Sequence, residues 1–437
     1  MGAASGARVR YIGNKTRLLG EIERAARTIG FDRGRVCDLF AGTGVVGRYF
    51  RGRGNTVLST DMMYTSHAFQ KVFLETEEWP SFERLRRELG LDPSVAAPTD
   101  RVEWLHPRSP SEDAPLFGRG GDPVAEPLPG DPNATLEVIG YLETEIPTAE
   151  GVLTRQYSPD GPDERRFLRP ERARHLDAIL FAIRDWRERE WLTEAEEWLL
   201  LVVTIDAADR VANISGTYGA FLKHWHGNTS RPIELRIPRL VGGPKGAAHR
   251  GAAEEWLGGV EADLLYIDPP YNHRQYPANY NLLEVMARIP REEDVEAFEG
   301  TIYGKSGLTP WKERASLLCS QRGTDCFDAM RELLSSTSIP RVVISYNEEG
   351  ILSRDQLDEL LAEYAGVAAS RLSDHLTEVP FPRFRSDADG RRAHTGAVRN
   401  YRQLPGRGEN EVHEWLFHVE RKKRRRASKR ATAKESS

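Results

Sequence analysis

Three features of the sequence predict an α/β fold with a mixed, mostly parallel sheet and a largely helical insertion. The first is a strand, glycine turn, helix and second strand between Arg35 and Thr60. The second is a pair of near-continuous apolar runs far downstream, ADLLYI at Ala262–Ile267 and RVVISY at Arg341–Tyr346. Such runs suit strands buried on both faces of a parallel sheet. The third is the stretch between them, which carries helical rather than alternating periodicity.

Each element has a local reason. Arg17 to Thr28 places its apolar residues at helical spacing. Arg35 to Phe40 (RVCDLF) is a short buried strand, AGTG turns the chain, Val45 to Arg51 begins a helix, and Thr56 to Thr60 is the next strand. Together they make a βαβ unit. Nine of the 26 prolines then fall between Pro93 and Pro132, a density of breakers that predicts a long irregular insertion. Pro170 can start a helix, and Arg172–Glu188 sets Leu176, Ile179, Leu180 and Ile183 on one face. A second helix is predicted over Glu194–Asn213. His375–Val379 and His413–Val419 read as a terminal antiparallel pair.

Charge is unevenly spread over the 437 residues, whose net charge is −5. Asp92 to Asp163 holds 14 acidic residues against four arginines, a net −10, which leaves the rest at +5. Arg421 to Arg430 has eight basic residues in ten, either a solvated end or a sequence-independent phosphate contact. No apolar run approaches the roughly 18 residues of a membrane span, and the start lacks the apolar core of a signal peptide. Cys37, Cys319 and Cys326 are too few and too scattered for a disulfide framework or a four-cysteine zinc site. A cytoplasmic protein is the expectation.

Four motifs carry the chemistry. In Asp38-Leu39-Phe40-Ala41-Gly42-Thr43-Gly44, glycines permit a tight turn before a helix whose first N–H groups are free. Gly42, Gly44 and Gly47 also match a nicotinamide fingerprint. A donor loop, a dinucleotide loop and a plain turn all stay open on this motif alone. Asp61 closes the next strand, where a carboxylate can accept both hydroxyls of a ribose. Asp268-Pro269-Pro270-Tyr271 follows ADLLYI directly. Its two prolines stiffen the loop and remove two donors, leaving the Asp268 carboxylate and the Pro269 carbonyl as rigid acceptors for an amino group. Tyr271 offers a flat face to a base. Tyr11-Ile12-Gly13-Asn14-Lys15 precedes the first helix, and Lys15 could pair with a ligand carboxylate while Tyr11 packs beside it.

In this order, YIGNK, DLFAGTG, Asp61 and DPPY resemble the alpha-group (Dam-like) DNA adenine-N6 methyltransferases. The run Asn272–Glu284 resembles the restriction-modification methylases of that class, as do DAADRVAN, YGAFLK and Ile344–Asn347. The chain departs from the pattern at Asn281, where the resemblance places a histidine. Residues 85–160 carry no motif of the family.

The resemblance implies a Rossmann-like methyltransferase fold and S-adenosylmethionine as methyl donor, with no metal. It assigns Tyr11, Lys15, Asp38, Phe40, Gly42, Gly44, Asp61 and Asp268 to the donor. It assigns Asp268, Pro269, Pro270 and Tyr271 to the target adenine. The implied organisation is donor-binding residues 1–80, an acidic insertion at 81–164, a helical target-recognition region at 165–255, a catalytic part at 256–420 and a basic tail at 421–437. Double-stranded DNA is the implied partner, with a restriction endonuclease alongside. Expected DNA contacts are Arg274 and Tyr276, and Arg383, Arg385, Arg391 and Arg392 in an arginine-rich stretch with interleaved aromatics. Methylation of RNA or of a protein amide stays open, as does a non-catalytic DNA-binding module.

Overall fold

The computed structural model describes residues 15–91, 128–238, 240–271, 275–312, 315–372, 374–382 and 411–421. Its centre is a seven-stranded sheet of order β3-β2-β1-β4-β5-β7-β6. The strands are β1 (Arg35–Leu39), β2 (Thr56–Asp61), β3 (Ala247–Arg250), β4 (Leu264–Ile267), β5 (Arg341–Asn347), β6 (Leu376–Pro382) and β7 (Glu411–Glu420). Strands β3, β2, β1, β4 and β5 pair in parallel in that order, and β7 runs antiparallel to both β5 and β6. This is the mixed, mostly parallel sheet expected. The predicted terminal pair forms, but β7 also inserts beside β5. The edge strand β3 was not expected: AAHR is largely exposed and lacks the alternation that marks a strand.

Two apolar layers cover the sheet. One packs Leu333, Leu357, Leu360 and Leu361 against Leu265 and Ile344. The other packs helix α1 (Leu19–Thr28) and helix α2 (Val45–Gly52) against Val36, Leu264 and Val343.

A third core belongs to the helical insertion. The helices Pro170–Glu188 and Glu194–Val211 form its axis. The second starts with a complete capping box between Thr193 and Glu196, satisfying two otherwise orphaned N–H groups. On either side of the irregular stretch predicted over Pro93–Pro132 the chain is helical. Glu83–Leu89, Asn133–Thr144 and Val152–Tyr157 are helices, and Leu136, Ile139, Leu153 and Tyr157 are buried in the same core as Leu176 and Ile205. None of these three helices contains a proline, and their apolar residues have a partner surface to bury against. Acidic residues there are paired: Glu137 with Arg86 at 2.7 Å and Asp160 with Arg174 at 2.5 Å. The densest proline stretch, 92–127, lies outside the described residues. No helix among the described residues is long and apolar enough to cross a membrane.

Candidate active site

The carboxyl ends of β1 and β4 lie side by side, with Leu39 in register with Ile267. Chain order reverses between these strands, the place where open α/β sheets bind ligands. The two loops that leave them are the glycine loop and the Asp268 loop.

The glycine loop turns through left-handed backbone. Phe40 has φ of 60°, Gly42 52° and Gly44 71°, so glycine is needed at the last two, while Phe40 holds a strained conformation. Gln70 pins the loop from below: its amide donates to the Gly42 carbonyl at 3.0 Å and its oxygen accepts from Ser59 Oγ at 2.8 Å. Asp38 is buried, and its Oδ2 accepts the Gly47 N–H at 2.9 Å. Burial, with the nearby charges of Asp268 and Asp61, raises its pKa to about 8 against the pull of that N–H.

Asp61 ends β2 half-buried. Its two oxygens accept the N–H groups of Gly42 and Met63, each at 2.9 Å. Burial raises its pKa to about 6. The helix α3 (Tyr64–Gln70) follows, and its first N–H groups are capped from afar by Glu284, which accepts from Tyr64 and Thr65.

Around Asp268 the structure brings together residues from both ends of the chain. Lys15 Nζ sits 3.1 Å from Asp268 Oδ1 and 2.5 Å from Glu414 Oε1. Glu414 also accepts from Ser345 Oγ at 2.8 Å and from Asn347 Nδ2 at 3.3 Å. Burial alone would lower the Lys15 pKa, but Asp268 and Glu414 hold it well above the usual lysine value. Asp268 is raised to about 7, mainly by burial and further by Glu414, with Lys15 opposing. Its Oδ1 accepts no directed hydrogen bond from the described residues. Pro269 is buried; Pro270 and Tyr271 are half-buried. The Tyr271 ring has Lys15 Nζ 5.5 Å from its centre and meets Tyr346 edge-on.

Thus Lys15, Asp38, Phe40, Gly42, Gly44, Asp61, Asp268, Pro269, Pro270 and Tyr271 gather at one sheet edge. Tyr276 stands apart, half-buried and stacked on Tyr280. Tyr11, Arg274, Arg383, Arg385, Arg391 and Arg392 lie outside the described residues. Asn281, where a histidine was expected, is fully buried and donates to the carbonyls of Ser306 and Gly307; its work is to hold a neighbouring turn. Sequence reasoning missed Gln70 and Glu414. For Glu414 the signal was an acid inside the apolar run HEWLFHV.

Comparison with known proteins decides the family. The model of the D12 class of N6 adenine-specific DNA methyltransferases matches residues 11–97 and 187–344, more than half of the chain. The chain belongs to this family. It is 28% identical over 415 residues to the type II methyltransferase M.FokI of Planomicrobium okeanokoites, covering 94% of this chain and 53% of that protein. It is 30% identical over 417 residues to the modification methylase StsI of Streptococcus sanguinis, covering 95% and 52%. With the type II methyltransferase M.NlaIII of Neisseria lactamica it shares 26% over 389 residues, 88% of this chain and 95% of that one. The chain spans about half the length of the first two. No solved structure matches it.

Proposed function

We propose that this chain transfers a methyl group from S-adenosylmethionine to the N6 amino group of an adenine at a specific site in double-stranded DNA. The observation that carries the reading is the Asp268 loop, held beside the glycine loop at the switch point of a D12-class chain. Relatives named as modification methylases support a restriction-modification setting, with a partner endonuclease.

The residues fit the methyl donor. Asp61 spends one lone pair per oxygen on Gly42 and Met63, and a carboxylate has about four. It therefore keeps acceptors for ribose hydroxyls. Lys15 pairs with two carboxylates but directs a hydrogen bond only to Glu414, so an ammonium's three N–H groups leave donors for the carboxylate of S-adenosylmethionine. Gly42 and Gly44 let backbone approach closely, with Asp38 and Phe40 beside them. When bound, S-adenosylmethionine supplies an electrophilic methyl on a positively charged sulfur.

The chain's own residues do the rest. An adenine inside a duplex is out of reach and must be flipped out. Asp268 Oδ1 and the Pro269 carbonyl would accept its amino hydrogens and aim the nitrogen lone pair at the methyl, while Pro270 keeps the loop stiff and Tyr271 covers the ring. Orientation and fixed charge would then provide most of the rate gain. When ionised, Asp268 complements the positive charge brought by the reactants.

The test is transfer from labelled S-adenosylmethionine to unmethylated genomic DNA, followed by nucleoside analysis. Label in N6-methyladenine is the expected result. Donor binding with no label in DNA would overturn it.

A further inference from the structure

We propose that the phosphate backbone of duplex DNA docks on the surface made by residues 166–172 and 222–231 of the helical insertion. The proposal rests on the methyltransferase reading and adds where the substrate sits.

Arg166, Arg169 and Arg172 stand three residues apart, and all three reach across to the second segment. Arg166 donates to the Lys223 carbonyl, Arg169 to Thr229 Oγ1 and Arg172 to the Ser230 carbonyl, each at 3.0 Å. Every acceptor is neutral. Among the described residues no carboxylate pairs with these arginines, nor with exposed Lys223 or Arg231. Elsewhere on the same insertion the pattern is the opposite. Arg155 meets Glu299, Arg174 meets Asp160, Arg184 meets Glu188 and Arg189 meets Asp185. These two segments hold five cations against one carboxylate, exposed Glu171, and that excess in a chain of net charge −5 marks a surface for an anion.

The face is rigid. Buried Asn213 donates to the carbonyls of Arg166 and Leu222 and accepts the His226 N–H. Asn228 donates to the carbonyls of Arg210 and Ala212. Trp225 lies under the Arg169 guanidinium, 4.9 Å from ring centre to charge, which fixes that side chain. An arginine held by one N–H still presents other donors of its fork to a phosphate.

It is also tied to the segment that follows the Asp268 loop. Tyr218 N–H donates to the Asn279 carbonyl at 2.8 Å, and Asn279 closes the short helix that follows the Asp268 loop. Gly219 accepts from Ser306 Oγ at 2.6 Å. The chain then runs straight from Gly219 into Lys223 and the cationic face. Duplex DNA carries a charge about every 1.7 Å, and such phosphate contacts set register without reading sequence.

The experiment uses the full chain with Lys223→Gln and Arg231→Gln combined, since among the described residues neither side chain makes a contact that its loss would break. Affinity for an unmethylated duplex is measured across salt, with KM for DNA, kcat and donor affinity. The double variant should bind DNA roughly tenfold more weakly, and its salt slope should fall by about 2. Donor affinity and kcat at saturating DNA should hold. Arg331→Gln, which removes an exposed arginine already paired with Glu359 and Glu363, should change nothing. Wild-type affinity and slope in the double variant, with DNA methylation intact, would overturn this surface alone. A wild type that methylates no DNA would overturn the surface together with the reading beneath it.

Discussion

Lys15 and Glu414 stand 399 positions apart in the chain and form a buried ion pair of 2.5 Å. The same ammonium lies 3.1 Å from Asp268, so one lysine is shared between the proposed acceptor of the target amino group and a second carboxylate. Glu414 acts through Lys15: by taking part of the lysine's charge it leaves Asp268 freer to accept from a substrate.

This arrangement sets a pH dependence. Ionised Asp268 is a stronger acceptor for an amino group than the neutral acid, and its pKa is about 7. Activity should therefore rise with pH through about 7. Glu414 raises that pKa and Lys15 lowers it. Glu414→Gln should move the acid limb of kcat/KM to lower pH, and Lys15→Met should move it to higher pH. Profiles that shift together, or not at all, would refute the shared-lysine account.

Asp268→Ala should lower kcat at least about 100-fold, the scale seen when a fixed electrostatic group is removed from a reacting centre. Donor binding, measured by calorimetry, should survive in part because Asp61, Gly42 and Gly44 are untouched. Methylation retained by this variant would remove Asp268 from the reaction.

Asp38 gives a stability prediction. Its folded value of about 8 stands above the ordinary 3.8, so the native state holds the proton more tightly than the unfolded chain. The stability tied to that proton is complete below about pH 4 and is lost as pH rises through about 8. Asp38→Asn cannot ionise, so its Tm relative to wild type should climb between pH 5 and 9. A constant difference would show that Asp38 ionises freely.

Arg51 is buried and donates to the carbonyls of Phe73, Thr76 and Pro244. These bonds tie the end of helix α2 to the segments before and after the insertion. Arg51→Met should cost about 3 kcal/mol, since it leaves buried carbonyls unpaired. Urea unfolding should show a lower midpoint with an unchanged slope.

Asn281 makes a smaller test. Its amide holds the Ser306 and Gly307 carbonyls, and Tyr157 Oη reaches the Gly307 carbonyl too, at 2.6 Å. Asn281→Ala should destabilise by about 2 kcal/mol, whereas kcat at saturating DNA should stay near wild type. A collapse in kcat alone would give Asn281 a direct part in the chemistry.

Local rules made much of this chain legible. A glycine turn after an apolar strand, an acid at the end of the next, and two prolines after a third each depend on a few adjacent residues. Backbone sterics act over that same range. Hence Asp38, Gly42, Gly44, Asp61 and Asp268 could be named together, and all lie at one sheet edge. The helices within residues 133–157 were not legible, because the apolar surface they bury against comes from segments far along the chain.

The sequence alone thus determined which side chains make up the candidate site and that they sit at strand ends. Tertiary structure decided what surrounds them. Only the insertion of β7 beside β5 sets Glu414 opposite Asn347 and next to Lys15. Only the packing of the insertion leaves Arg166, Arg169 and Arg172 facing neutral carbonyls and a hydroxyl while their neighbours find carboxylates. Ion pairing and burial depend on distance in space, and strand order converts a separation of 399 residues into a single contact.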